Sequence, residues 1–357
     1  MRRPSRLVEM TGLRHPVALR PRSPRSGVAG VARVAAVAVL AVAATGCVVR
    51  VDSDGVRVRE EKRFTTTGRP TVQLATFDGS IVIRGWDRDE ISVEIEKRGR
   101  DKAAAEAIEV LAEQKGDVVH VEARKKDLSD GKSYEIGWHG VSRSAKLVVS
   151  VPTGSDLIVR TGDGSIRVDH VNGKVELKSA DGSVTGRDLT GDVVAHTEDG
   201  SIRLEGVDGK CDVASDDGSI AVQGRLDGLR VSTEDGSVVV RAAAGSKIAR
   251  DWNLSTGDGS LVLYLADGLG ADLDAEARDG SVKLDSGLTF EHASGERSRG
   301  AIRGRLGAGG PRLVMRSGDG TIRVRRLPGG PMAPAPPPPP PPGVPHPPAP
   351  PDLPVER

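Results

Sequence analysis

From Ser165 onward, polar and apolar positions alternate with a regularity that sets the fold class. Ser165-Ile166-Arg167-Val168 alternates, Asn172-Gly173 interrupts, Lys174-Val175-Glu176-Leu177-Lys178 alternates again, and Asp181-Gly182 closes the unit. A period of two places every second side chain on one face of an extended strand. Asn-Gly and Asp-Gly suit turns that need positive φ, where glycine carries no Cβ penalty. Each unit therefore predicts two short strands and two tight turns. The unit recurs, because Asp-Gly-Ser begins at Asp163, Asp181, Asp199, Asp217 and Asp235, a constant spacing of 18 residues. Gly164, Gly182, Gly200, Gly218 and Gly236 are the turn glycines of these copies. Looser copies start at Asp78, Asp258 and Asp279, and Asp319-Gly320-Thr321 closes the series.

Positions 18 apart are chemically uniform. Ile166, Val184, Ile202, Ile220 and Val238 form one column; Val175, Val193, Cys211 and Leu229 a second; Leu177, Ala195, Val213 and Val231 a third. Thr161, Ser179, Thr197, Ser215 and Thr233 form a hydroxyl column. Such columns predict coils stacked about 4.8 Å apart, with equivalent strands paired in parallel and in register. One coil offers about five or six inward aliphatic residues, at roughly 1.5–3 kcal/mol each. Ordering its backbone costs about 1–2 kcal/mol per residue. A lone coil is unstable, so the pattern predicts one cooperative stack of on the order of a dozen layers. The fold class expected is all-β, a single-stack β-solenoid of about 18 residues per coil.

The flanks differ. Ile81, Ile83, Ile91, Val93 and Ile95 read as early strands, whereas Ala103, Ala104, Ala107, Ile108, Leu111 and Ala112 have helical spacing and predict a short helix within 101–115. Gly304 to Gly310 is a glycine-rich loop. From Pro328 the chain is mostly proline, with Pro336 to Pro342 unbroken, and is expected to be disordered and extended as polyproline II. Eight arginines between Arg2 and Arg33, then the apolar run Val34 to Ala44, form an export leader too short to span a bilayer as a helix. The run ends in Ala44-Thr45-Gly46-Cys47, which resembles the lipobox of bacterial lipoproteins, so Cys47 is the expected lipidation site and mature N-terminus. A plain secretory signal and an N-terminal membrane anchor are the alternatives. Residues 1–47 are thus a signal peptide, 48–327 the solenoid and 328–357 the tail.

Three segments occur in a fixed order: Val151-Pro152-Thr153-Gly154 leading into Leu157, Val159 and Gly164-Ser165-Ile166; the Asp-Gly-Ser strands; and Leu306-Gly307-Ala308-Gly309-Gly310 followed by Gly318-Asp319-Gly320-Thr321-Ile322. In that order the chain resembles the bacterial putative-adhesin family of β-solenoid envelope proteins and lipoproteins. The resemblance covers roughly residues 70 to 327. It implies an adhesive role and supplies no catalytic residues.

Composition narrows the chemistry. Three Trp, two Tyr and three Phe against 45 Gly leave a core of Val, Ile, Leu and Ala. With 51 basic and 50 acidic side chains there is no global field to recruit nucleic acid. Outward positions Arg167, Thr185, Arg203, Ala221 and Val239 form no stripe of one sign. Gly131-Lys132-Ser133 has Lys126 where a phosphate loop needs its first glycine. His170 and His196 fall in different columns, and no His-Glu-x-x-His occurs, which disfavours zinc. Cys211 stands among Val175, Val193 and Leu229 as a small core residue. Trp86, Trp138 and Trp252 are isolated in sequence and read as core or cap residues, with sugar stacking as the alternative. One polar feature recurs: Glu198-Asp199, Asp216-Asp217 and Glu234-Asp235 place six carboxylates along one corner of three coils. Turn geometry accounts for them, or calcium bridges the coils; no other cofactor is indicated.

The function expected is that of a non-enzymatic lipoprotein of the bacterial cell envelope, an adhesin or structural scaffold facing the periplasm or the exterior. Its partners would be the membrane, through the lipid, and an envelope protein or glycan. A partner-binding or envelope-stress scaffold using the proline tail is one alternative, and a carbohydrate-active β-helix enzyme is another.

Overall fold

The computed structural model describes residues 45–52, 55–126, 143–293 and 299–328. Residues 1–44 of the leader, residues 329–357 of the proline tail, Trp138 and Gly131-Lys132-Ser133 lie outside the described residues, whereas Thr45 to Cys47 and Pro328 lie within them. The chain enters through β1 (Thr45–Asp52), β2 (Gly55–Thr65), β3 (Thr71–Thr76), β4 (Ile81–Trp86) and β5 (Glu90–Gly99). A single turn of helix, α1 (Lys102–Glu106), leads to β6 (Ile108–Lys115), β7 (Val118–Lys125), β8 (Ser144–Pro152) and β9 (Asp156–Thr161). Four long strands follow: β10 (Ile166–Ser179), β11 (Val184–Thr197), β12 (Ile202–Ser215) and β13 (Ile220–Asp235). Then come β14 (Val238–Ala242), β15 (Trp252–Asp258), β16 (Leu261–Leu265), β17 (Ala271–Ala277) and β18 (Ser281–Leu284). The last are β19 (Phe290–His292), β20 (Ala301–Leu306), β21 (Arg312–Asp319) and β22 (Thr321–Arg326). The fold is all-β and solenoid-like.

Pairing in the long strands follows the repeat. Ile166 pairs with Val184, Val184 with Ile202 and Ile202 with Ile220, all parallel. The structure departs from the expected pair of strands per unit, because each unit is one strand with a bend. The bend lies at His170 and Asp188, which have positive φ of 59° and 49°, and at Gly206 (69°). It reverses the alternation. Ile166 and Val168 point inward before it, Asp169 and His170 both point outward, and Val171, Val175 and Leu177 point inward after it. A tight turn at Asn172-Gly173 is therefore replaced by continuous pairing, Asn172 with Thr190 and Gly173 with Gly191.

The bend divides the strands between two ladders. The front ladder runs β1–β2–β5–β8–β4, then the first halves of β10 to β13, then β14–β16–β22–β18. The back ladder runs β6–β7–β3–β9, then the second halves of β10 to β13, then β15–β21–β17–β20–β19. One aliphatic cluster fills the space between them, from Leu74, Ile83 and Ile95 through Ile166, Leu189 and Leu204 to Leu263, Leu313 and Val324. Trp252 is fully buried in it.

Three expectations are corrected by this order. The stack is not parallel throughout, since β1–β2–β5–β8, β6–β7 and β17–β20–β19 are antiparallel at its ends. Nor does Asp319-Gly320-Thr321 close the series in space: β21 and β22 insert between β15 and β17 and between β16 and β18. The helix is only five residues long. Asp101 caps it, accepting a 2.7 Å hydrogen bond from the Ala104 N–H. The chain then re-extends as β6, where pairing with β7 satisfies its backbone and Ile108, Val110 and Ala112 pack on core residues, a tertiary gain that outweighs a marginal isolated helix.

Candidate functional site

The Asp-Gly-Ser corner is where the repeat concentrates its polar groups. Its glycines stand on one another. A Cβ on Gly182 would lie 1.9 Å from the Gly164 carbonyl oxygen, one on Gly200 2.3 Å from that of Gly182, and one on Gly218 2.0 Å from that of Gly200. Positive φ occurs at Gly79, Gly236, Gly259 and Gly320 but not at Gly164, Gly182, Gly200 or Gly218. Close stacking, and not the backbone angle expected from the dipeptide, therefore requires glycine in the central coils. The same order continues through the ends, with Gly259 over Gly236, Gly320 over Gly259 and Gly280 over Gly320.

A buried hydroxyl secures each step. Ser179 Oγ donates to the Gly164 carbonyl at 2.9 Å, and Thr197, Ser215 and Thr233 donate to Gly182, Gly200 and Gly218 at 3.0 Å. Thr197 Oγ1 also accepts from the Gly200 N–H at 3.2 Å. These bonds link adjacent coils at a place where no strand ladder runs, which accounts for the hydroxyl column.

The aspartates of the motif crown the corner. Asp199, Asp217 and Asp235, with Glu198, Asp216 and Glu234 beside them, are all exposed. Their backbone N–H groups are held by the coil below, Asp217 to the Glu198 carbonyl at 2.9 Å and Asp235 to the Asp216 carbonyl at 3.0 Å. Stacking thus brings the six carboxylates onto one edge. They are spread along it: among the described residues no three or more His, Cys, Asp or Glu side chains are arranged to hold a metal ion. Asp163, Asp181, Asp258, Asp279, Asp319 and Asp78 extend the edge in both directions. At Asp78, burial pushes the carboxyl above its ordinary value, the neighbouring Asp163 charge adds to this and Lys125 opposes it.

Cys211 is buried between Val193 and Leu229 in the back ladder. Burial, with a smaller contribution from Asp212, pushes its thiol up to about 12, so it is neutral and not a nucleophile. Cys47 lies within β1, whose pairing to β2 is described while its side chain is not. Trp86 is half-buried, donates Nε1–H to the Glu90 carbonyl at 2.8 Å and carries Arg88 over its ring.

Two outward constellations were not legible from the sequence. On the back ladder, the Asp274 carboxylate accepts from Arg303, Arg312 and Arg316, the shortest of these bonds 2.9 Å, and Arg316 first and Arg303 after it hold the carboxyl below the ordinary range. Beside it a surface cleft of ≈ 360 Å³ is lined by Asp272, Glu291, His292 and Arg305. On the front ladder, two outward columns run from β4 toward its far end at β22 and β18. One reads Val82, Arg167, Thr185, Arg203, Ala221, Val239, Val262, Arg323, Lys283 in register. The other reads Arg84, Asp169, Arg187, Glu205, Gln223, Arg241, Tyr264, Arg325. The 18-residue period reveals only their middle. Their ends are joined by the inserted strands, which add Arg323, Arg325 and Lys283 to a middle of mixed charged, small and apolar residues.

This is a double-ladder β-stack with a packed aliphatic interior, polar chemistry confined to its corners and outer faces, and no helix among the described residues long and apolar enough to cross a membrane. The family model described as Toastrack DUF4097 matches residues 71–325, and the chain belongs to that family. Among solved structures, a putative cell adhesion protein from Clostridium sporogenes is 13% identical, covering 75% of this chain and 99% of that one at a TM-score of 0.28. A putative adhesin from Bacteroides fragilis is 10% identical, covering 74% and 96% at 0.34. A putative lipid binding protein from Parabacteroides distasonis is 14% identical, with the same coverage and TM-score. No curated protein matches.

Proposed function

We propose that the chain is a non-enzymatic lipoprotein of the cell envelope, an adhesive scaffold anchored through Cys47. One observation carries this reading. Successive inward columns fill the interior with Val, Ile and Leu, so the protein offers long outer ladders as its working surface. Val48 pairs with Arg59 on β2, and β2 pairs with β5 from Val56 to Thr65, so an acylated Cys47 would be joined to the stack through β1 with no spacer. The corner carboxylates are then turn residues; calcium bridging between them is tested by melting with calcium and then with chelator, and unchanged midpoints would remove it. Metabolic labelling with an alkyne fatty acid tests the anchor. Wild-type chain should carry the label and sediment with membranes, and Cys47→Ser should lose both; unlabelled wild-type chain in the soluble fraction would overturn the reading.

A further inference from the structure

The even charge balance conceals a segregation that only the stacking order exposes. From β4 to β18 the front columns carry Arg84, Arg167, Arg187 and Arg203 on one half, and Arg241, Lys283, Arg323 and Arg325 on the other. Against these eight cations stand three acids, Asp169, Glu205 and, just past β18, Asp285. Glu205 is taken by Arg203 at 2.6 Å and Arg187 at 3.6 Å. The distal half has one acid at its rim, the exposed Asp285, which follows Leu284 in the β18 register and so lies opposite Arg325. Asp267, at the end of β16, is already paired with Arg326. Arg241 lies over the ring of Tyr264, its centre 5.1 Å from the ring centroid. Among the described residues, no ion-pair partner is recorded for Arg241, Lys283, Arg323 or Arg325. With strands about 4.8 Å apart, the stripe is roughly 40 Å long and only two side chains wide.

Like charges so placed repel unless a counter-charge completes them. The shape of the stripe discriminates between counter-charges. The corner aspartates run parallel to it, four residues before Arg167 in the case of Asp163, and so no more than about 13 Å away. That distance is comparable with the Debye length of about 8–10 Å. An anionic bilayer, being a plane, would press on the acidic edge as well as on the basic stripe, and the two contributions would oppose. A single chain of anionic groups can follow the cations alone. Nucleic acid strands also need aromatic platforms for their bases, and the stripe holds one aromatic ring, Tyr264. Seven of the eight cations are arginine, whose fork suits carboxylate, sulfate or phosphate groups on a sugar chain, and Ala221, Val239 and Val262 give a flat apolar floor for sugar rings.

We infer that the front ladder is a docking surface for a linear polyanionic glycan lying along the stack axis. This deepens the adhesive reading by naming its ligand class, and its test does not depend on the lipid. Full-length chain in mild detergent is titrated with polygalacturonate oligomers and with neutral dextran of equal length, at several salt concentrations. Polygalacturonate should bind, with affinity falling several-fold for each doubling of salt, and dextran should not. Each surface cation contributes about fivefold, so Arg241→Gln/Arg323→Gln/Arg325→Gln should bind on the order of a hundredfold more weakly. Arg84→Gln/Arg167→Gln, at the other end of the stripe, should weaken binding about tenfold or more and keeps the test valid if the triple variant misfolds. Lys174→Gln/Lys178→Gln/Lys210→Gln on the back ladder should leave it within about twofold. Absence of polygalacturonate binding, equal binding of dextran, equal loss in the back-ladder variant, or tighter binding to single-stranded oligonucleotide or phosphatidylglycerol vesicles would each overturn the inference.

Discussion

Replacing one corner glycine tests the physical core of this fold. Gly200→Ala places a methyl group 2.3 Å from the Gly182 carbonyl oxygen and 2.7 Å from both its carbonyl carbon and Thr197 Oγ1. An ordinary contact needs about 1 Å more, and neither coil can move freely because each is hydrogen-bonded on both sides. Overpacking of this kind costs about 1–3 kcal/mol. Displacing Thr197 from its bonds to the Gly182 carbonyl and the Gly200 N–H adds about 0.5–1.5 kcal/mol. The expected cost is about 2–4 kcal/mol, or roughly 5–15 °C in midpoint for a stack of this size. Gly154 is the control, since it is exposed and no atom would lie within 4 Å of its Cβ. Gly154→Ala should be neutral, or stabilising by up to about 1 kcal/mol through the unfolded chain. Urea titration and thermal melting of both variants by far-UV circular dichroism supply the measurement. If Gly200→Ala comes within about 0.5 kcal/mol of Gly154→Ala, direct stacking is not what demands glycine at the repeat.

Three further outcomes follow from named contacts. Cys211 should resist a thiol-exchange reagent at pH 8 in the native protein and react fully in denaturant; the neutral buried thiol contributes stability below the ordinary thiol pKa of about 8.5, and that contribution is lost as pH rises from there toward about 12. Stoichiometric labelling of native protein would contradict this. Asp274→Asn should cost about 1 kcal/mol at pH 7 after allowing for solvent screening. Because its folded pKa is depressed, the carboxylate's contribution is full above the ordinary value of about 3.9 and is lost as pH falls through the folded value, so the gap between variant and parent should close in acid; a gap independent of pH refutes the assignment. Deleting residues 311–357 removes β21 and β22 from inside both ladders, so the product should be insoluble or lack a cooperative melt, whereas a product melting at the parental midpoint would contradict the insertion.

Much of the architecture was legible along the chain. Alternation made strands, and the 18-residue spacing gave the register between Ile166, Val184, Ile202 and Ile220 and aligned the hydroxyl column. Local pattern carries such information because a strand's two faces and a repeat's own neighbours are close in sequence. The bend at His170 and Asp188 left only a faint mark, a column of His170, Asp188 and Gly206 whose residue types tolerate positive φ; such residues also occur in ordinary extended strands, and stacking decided that they bend here. Residues 108–115 read as helix because Ala, Ile and Leu at three- and four-residue spacing also fit a strand edge, and pairing with β7 decided between them.

By itself, then, the sequence determined an all-β stack, the identity of its core columns, and a corner of glycine, aspartate and hydroxyl residues. Tertiary structure decided the order in which strands from distant segments enter that stack. It set β4 beside β10 and slid β22 between β16 and β18. Since charges on adjacent strands act together however far apart they lie in the chain, that order alone turned a nearly neutral composition into a basic front and an acidic edge.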